Sequence, residues 1–389
     1  MRKKIGLFIS VFAGLVFVLF IASCSSSSSS SSSSTTTATP TTIAHGPPIS
    51  VPAATQAVTT SSLEGAAVQP QVYSYGSNSA QKLEVYQSSG DEAGTIFYIH
   101  GGAWMGGDMN GFTSTLVLSE EAQERLSEFN QITTTAGNNS LAQLKSQLTG
   151  GWDIVSINYR LATDASGPGI RAQQMMNDVD TAVRYTLANA SKMDINTGKF
   201  VMSGGSAGGH LALMEALTGP QGTYKAPNLP ADLEKVTVKF DGVLTMVAPT
   251  DLAALYKAGG IAPGGVEALL GCTLGNPPAI AGNQPCDPNL VAQFSPLVLT
   301  KQAVANGTIL PPAYFIYGGL DTLVVIATQG TPEVNEWAMA TGVNQCWYDF
   351  PPNAGHTSDD QVNQLAVDNW LDNVWSGNWT GPNAKMPTS

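Results

Sequence analysis

Between residues 82 and 374 the chain alternates short, densely apolar runs with longer segments whose apolar positions recur every three or four residues. Runs apolar on both faces predict buried strands, and the 3.6-residue recurrence predicts helices packed through one face. Strands are expected at Thr95 to Ile99, Asp153 to Arg160, Lys199 to Ser203, Phe240 to Ala248, Ala313 to Tyr317 and Cys346 to Phe350. Lys82 to Tyr86 alternates polar and apolar residues, as a half-exposed strand does. Helices are expected where Leu141, Leu144 and Leu148 follow a cap at Asn138 or Asn139, and over Ile170 to Ala188, with Met175, Val179, Ala182, Val183 and Leu187 on one face. Further helices are expected over Leu211 to Leu217, Val334 to Ala340, and Asp359 to Val374 with Val362, Leu365, Trp370 and Leu371 inward. Strands alternating with helices predict an α/β fold, a mostly parallel central sheet flanked by helices on both faces. Catalytic residues of such a fold lie at the carboxyl ends of its strands.

Two stretches exceed this alternation. Residues 112–134 add a helical pattern with Leu116, Leu118, Ala122, Leu126 and Phe129, and residues 252–303 read as a long loop-rich segment. Both leave from carboxyl strand ends, where a segment can roof a site or simply pad the periphery. No internal repeat is visible.

The amino terminus has a different character. Met1-Arg2-Lys3-Lys4 is basic, Ile5 to Ala22 is almost wholly apolar, and Ile21-Ala22-Ser23-Cys24 resembles a bacterial lipobox. That resemblance implies a signal peptide over residues 1–23, cleavage before Cys24 and lipidation of Cys24, hence a lipid-anchored protein of a bacterial cell envelope. Ser25 at the next position leans towards the outer membrane or cell surface in a Gram-negative cell. Ten serines follow, Ser25 to Ser34, then a Thr/Pro/Ala-rich tract, so residues 24–67 read as a disordered tether. About 45 such residues span roughly 35–40 Å. Residues 68–380 remain for one catalytic domain, with a tail at 381–389.

Composition narrows the partners. The signal holds three of the 17 basic residues, leaving 14 against 29 acidic, a formal charge of −15. An acidic surface argues against nucleic acid and suits neutral substrates; contact with a membrane is expected through the N-terminal lipid alone. Oligomeric state leaves no mark in the sequence. Cys272 and Cys286 stand 14 apart in a Gly/Pro/Asn-rich stretch and are expected to form a disulfide, while Cys346, in a strand, is expected to be a buried thiol. No C-x-x-C or His-x-His spacing suggests a metal, and no cofactor is expected.

The chemistry centres on Gly204-x-Ser206-x-Gly208, placed where a strand turns into a helix. A nucleophilic serine needs its hydroxyl at the tip of such a turn, and the glycines remove Cβ atoms that would clash there. The pattern alone is weak, since a glycine-rich turn without chemistry has the same sequence. The chain has four histidines, and only His356 lies in a loop after the last strand; His45 is in the tether, His100 ends a strand, and His210 is helix-borne. His356 is therefore the candidate general base, and Asp321, after the strand ending at Tyr317, is the candidate acid, with Asp251 and Asp359 as alternatives that also suit helix caps.

His100-Gly101-Gly102-Ala103-Trp104, Asn158-Tyr159-Arg160-Leu161, Gly204 to His210, Gly318 to Val324 and Gly355-His356 occur in that order. Together they resemble an α/β-hydrolase of the serine carboxylesterase group that includes feruloyl-esterase-like, kynurenine-formamidase-like and hormone-sensitive-lipase-like enzymes. Ala103 departs from the H-G-G-G of the last of these. The resemblance implies the α/β-hydrolase fold, a Ser206–Asp321–His356 triad and an oxyanion hole from the backbone N–H groups of Gly102, Ala103 and Ala207. The activity it implies is hydrolysis of short- to medium-chain acyl or small aryl esters through an acyl-enzyme, on a small-molecule ester substrate. The alternatives are an amidase or formamidase, a true lipase, and a non-catalytic surface lipoprotein built on a hydrolase scaffold. Trp104 is expected to pack rather than stack on substrate, and Asn158 to Leu161 to structure the adjoining loop.

Overall fold

The apolar strands serve two cores at once. In the computed structural model, Phe200 and Met202 face one hydrophobic cluster while Val201 between them faces another. Ala313 and Phe315 alternate in the same way with Tyr314 and Ile316. This is the two-sided burial that continuous apolar runs require. The structure describes residues 49–50, 70–88, 93–109, 150–162, 169–356 and 363–379, all in a unit spanning His45–Ser389. The expected lipobox with Cys24, the 112–134 insertion, the helix over Leu141 to Leu148, Asp359 and the 381–389 tail lie outside the described residues.

The strands are β1 (Ile49–Ser50), β2 (Gln71–Ser74), β3 (Lys82–Tyr86), β4 (Gly94–Ile99), β5 (Trp152–Ile157), β6 (Phe200–Gly205), β7 (Gly242–Met246), β8 (Ala313–Ile316) and β9 (Cys346–Asp349). They form one nine-stranded sheet in the order β1-β9-β8-β7-β6-β4-β5-β3-β2. The pairings are parallel except β2 with β3 and β3 with β5. The helices are α1 (Ala172–Ala188), α2 (Ala190–Met193), α3 (Ala207–Thr218), α4 (Ala231–Glu234), α5 (Leu252–Lys257), α6 (Ala262–Leu270), α7 (Pro288–Gln293), α8 (Pro296–Ala305), α9 (Thr331–Thr341) and α10 (Gln364–Ser376). α1, α3 and α9 bury their apolar faces in the larger cluster, and α10 covers the other face of the sheet through Ala366, Val367, Trp370, Leu371 and Val374.

Four sequence expectations change. β3 is not half-exposed: Leu83, Glu84, Val85 and Tyr86 are all buried, because Leu83 and Val85 join the larger cluster on one face, Tyr86 joins the other cluster on the opposite face, and the Tyr86 hydroxyl donates to Glu84 at 2.7 Å. Residues 252–303 are not mainly loop but carry four helices, α5 to α8. The prolines that broke the periodicity stand in the first turns of α6, α7 and α8, where the missing N–H costs nothing. Leu365 does not belong to the inward face of α10; it is 64% exposed. Ile49–Ser50, inside the stretch read as tether, pairs in parallel with Trp347 and Tyr348 at the sheet edge. The disulfide between Cys272 and Cys286 is present. Cys346 is a buried free thiol.

Candidate active site

The site assembles at the carboxyl ends of β4, β6, β8 and β9. Ser206 follows β6 directly and opens α3, with φ 52° and ψ −123°. A side chain rarely adopts such a backbone, and it stays there because its surroundings leave no alternative. Its N–H donates to Met246 O at 2.8 Å. A Cβ at Gly204 would lie 2.5 Å from Gly208 O, and one at Gly208 would lie 2.1 Å from Ile99 O. Both motif glycines are thus required by close backbone approach.

Ser206 Oγ lies 2.9 Å from His356 Nε2, and His356 Nδ1 lies 2.7 Å from Asp321 Oδ2. The other oxygen, Asp321 Oδ1, accepts the Leu323 and Val324 N–H groups at 2.8 and 2.9 Å. With both oxygens engaged, the carboxylate has one orientation. The Asp321 side chain is fully buried, whereas that of His356 keeps 22% exposure. Asp251 takes no part: it caps α5 by accepting the Ala254 N–H at 2.9 Å.

The loop after β4 brings the second set of groups. Gly102 has φ 114°, Ala103 φ 52° and Trp104 φ 63°, a left-handed run closed by Met105 and Gly106 N–H bonds to Gly102 O. Ala103 and Ala207 line the same cleft as Ser206, and Gly102 stands one residue behind Ala103. Among the described residues, those other than glycine with positive φ are Asp194 and Ala103, Trp104, Ser206 and Val247, the last following β7 beside Ser206. Backbone strain is therefore concentrated around one place.

The neighbouring motif supports this loop, as expected. Tyr159 stacks on the His100 ring at 4.6 Å, Asn158 accepts the Met109 N–H at 2.6 Å, and Arg160 pairs with Asp178 at 2.6 Å. Burial lowers the His100 pKa, which keeps the ring neutral. Trp104 is buried as expected, yet its ring also forms part of the cleft wall.

A narrow cleft opens beside Ser206. Beyond Ser206 its walls are apolar: Trp104 on one side, Leu255, Ile261, Ala262 and Gly265 from α5 and α6, and Leu323 and Val324 from the acid loop. The 252–303 segment therefore walls the site. The sequence located that segment but not which of its residues face Ser206; the glycine pair Gly264-Gly265, ahead of Val266, Ala268, Leu269 and Leu270, was the available signal. Among the described residues no group of His, Cys, Asp and Glu is placed to hold a metal ion.

A mostly parallel sheet bearing Ser206, Asp321 and His356 at its carboxyl edge, in that chain order, is an α/β-hydrolase with the site geometry of a serine hydrolase. The chain belongs to the BD-FAE family, whose model matches residues 129–328, just over half of its length. His356 lies beyond the matched residues. A 155-residue stretch is 28% identical to esterase LipC of Mycobacterium tuberculosis, over 39% of this chain and 30% of that protein, so the chain spans about a third of that relative. A truncated carbohydrate esterase from gut microbiota shares the fold with a TM-score of 0.55 at 19% identity, over 79% of this chain and 96% of that one. Esterase B of Lactobacillus rhamnosis does so with a TM-score of 0.53 at 17% identity, over 79% and 86%.

Proposed function

We propose that the protein is a carboxylesterase-type serine hydrolase that cleaves carboxylic esters through an acyl-enzyme. The observation that carries this reading is the continuous chain of short contacts from Ser206 Oγ through both nitrogens of His356 to a buried Asp321, opening into an apolar cleft. In the reaction, Ser206 Oγ attacks the acyl carbonyl while His356 Nε2 takes its proton. Asp321 holds the proton on Nδ1 and stabilises the imidazolium. The carbonyl oxygen becomes an oxyanion, which the N–H groups of Gly102, Ala103 and Ala207 receive; each such donor is worth roughly 3–4 kcal/mol in the transition state. His356 then protonates the leaving alcohol, and a water activated by the same nitrogen releases the acid.

Among the described residues the cleft walls carry no charged side chain, which suits an uncharged acyl group of short to medium length. Each methylene that finds room there contributes about 0.8 kcal/mol. The test is turnover of p-nitrophenyl acetate, butyrate and palmitate by the wild-type protein and by Ser206→Ala. Fast turnover of the two short esters, lost by at least 10³-fold in Ser206→Ala, is the expected result. Folded wild-type protein that hydrolyses none of them would overturn the reading, and faster turnover of an aryl formamide would replace it with an amidase.

The lipobox resemblance at Ile21 to Cys24 and the serine-rich stretch behind it support a lipid-anchored location in a bacterial envelope, with the catalytic unit held off the bilayer. Cys24→Ser is expected to abolish incorporation of labelled palmitate and to move the protein out of the membrane fraction. Unchanged membrane association would count against the anchor.

A further inference from the structure

We infer that the hydrogen bond between Trp104 and His210 is a latch that fixes the oxyanion loop to the nucleophile helix, so that both side chains are positioning residues for the oxyanion hole. The inference rests on the serine-hydrolase reading above. Ala103 and Trp104 hold φ of 52° and 63° in succession. Left-handed backbone is unfavourable for a non-glycine residue, and consecutive instances persist only when other contacts over-determine them. The direction of the Ala103 N–H depends on these angles.

Two contacts hold Trp104. Its carbonyl accepts the Ala162 N–H at 2.7 Å, which fixes the loop to the chain after β5. Its indole Nε1 lies 3.3 Å from His210 Nδ1, with the rings edge-on at 85°. The indole nitrogen only donates, so Nδ1 must carry a lone pair. The other ring nitrogen, Nε2, lies 2.8 Å from Phe294 O, and a carbonyl only accepts. Nε2 therefore carries the proton, and His210 is a neutral ring in one tautomer. Its burial lowers the pKa to about 4, so the tautomer persists across the neutral range.

His210 has no route to the substrate, being fully buried. What it has is a fixed relation to the nucleophile: its N–H donates to Ser206 O at 3.0 Å, one helical turn on. The indole is thus fastened to the helix whose first N–H, that of Ala207, forms the other half of the hole. Phe294, at the end of α7, braces the histidine from behind. The same indole ring lies 3.5 Å from where a Cβ on Gly265 would stand, so the latch and the cleft wall share one side chain.

Trp104→Phe separates a latch from mere packing, since phenylalanine keeps a ring and loses the N–H. The readouts are kcat and KM on a short p-nitrophenyl ester, and the rate ratio between that ester and its thiono analogue. A C=S group accepts hydrogen bonds poorly, so the ratio reports on the oxyanion hole. Trp104→Phe is expected to lose 10- to 100-fold in kcat with KM little changed, and to lose a comparable part of its preference for the oxo-ester. His210→Leu should match it, Trp104→Phe/His210→Leu should be no worse than His210→Leu alone, and His210→Asn, whose amide oxygen can replace Nδ1 as acceptor, should recover most of the rate. Melting temperatures of all variants accompany the kinetics. A folded Trp104→Phe with wild-type kcat and an unchanged oxo/thiono ratio overturns the latch. So does an equal loss on both esters, or a stable His210→Asn no better than His210→Leu. Wild-type protein that neither turns over ester nor reacts with a fluorophosphonate would instead sink the hydrolase reading on which the latch depends.

Discussion

Asp321 does two jobs with its two oxygens. One orients His356 and the other is held by the Leu323 and Val324 N–H groups, so the carboxylate is fixed before any substrate arrives. Asp321→Asn keeps the shape but offers an amide to one side or the other, and favours the wrong imidazole tautomer. Its kcat is expected to fall by about 10⁴-fold at little-changed KM, and single-turnover measurement would locate the loss in acylation. A loss below tenfold would remove Asp321 from the triad. At this scale the sequence was informative about which side chains the structure brings together, because position after a strand end is itself a constraint: Ser206, Asp321 and His356 each follow one. It was uninformative about His210 and Trp104, whose partners lie 106 residues apart. It was also misleading at Leu365, where the apolar period continues one residue past the buried face.

The α5–α6 pair decides what the cleft admits. A Cβ on Gly265 would make ordinary contacts, 3.5 Å from the Trp104 ring and 3.6 Å from Ala103 Cβ, so a small side chain fits and a larger one must project into the cleft. Gly265→Leu is expected to retain acetate turnover within a few-fold and to reduce butyrate turnover by tenfold or more, since a filled cleft forfeits about 0.8 kcal/mol per methylene and adds overlap. An unchanged chain-length profile would place the acyl group elsewhere. The wall is itself held rigid. Glu267, on the same helix, is buried and accepts bonds from Tyr256, Thr273, Ala279, Ile280 and Asn283. Burial alone would raise its pKa; the Thr273 hydroxyl and the backbone donors outweigh that and lower it. With the Cys272–Cys286 bridge, this carboxylate ties down the loop after α6. The cysteines were legible from spacing and setting, whereas the glutamate hub was not, since its donors come from five positions whose convergence only the folded loop creates.

Across the whole molecule, the larger core contains a carboxyl group that the site does not use. Glu333 on α9 is fully buried, with Thr300 Oγ1 donating to it at 2.6 Å, and burial lifts its pKa to about 8. Tyr317 and Cys346 face it, and burial raises both of their pKa values further. The folded state therefore holds this proton to higher pH than the unfolded chain, in which a glutamate releases it near 4.3. Between about 4.3 and 8 the folded state binds more protons, so this group's contribution to stability falls as pH rises. Glu333→Gln is expected to flatten the decline in melting temperature between pH 6 and 9, as read by thermal unfolding at several pH values. An unaltered slope would show that Glu333 is not the group responsible.

The sequence by itself determined the class of fold, the order of the residues that meet as Ser206, Asp321 and His356, and the disulfide. Those follow from local constraints: strands apolar on both faces need cover on both faces, a nucleophile elbow needs its glycines, and a triad acid and base need strand ends. The tertiary structure alone decided the burial of β3, the helices concealed behind the prolines of 252–303, the glycine that opens the cleft and the tautomer of His210. Each of these is set by what another part of the chain places opposite a residue. A strand is buried on both faces only when other elements cover each face, and a histidine acquires one proton position only when a donor faces one nitrogen and a carbonyl the other.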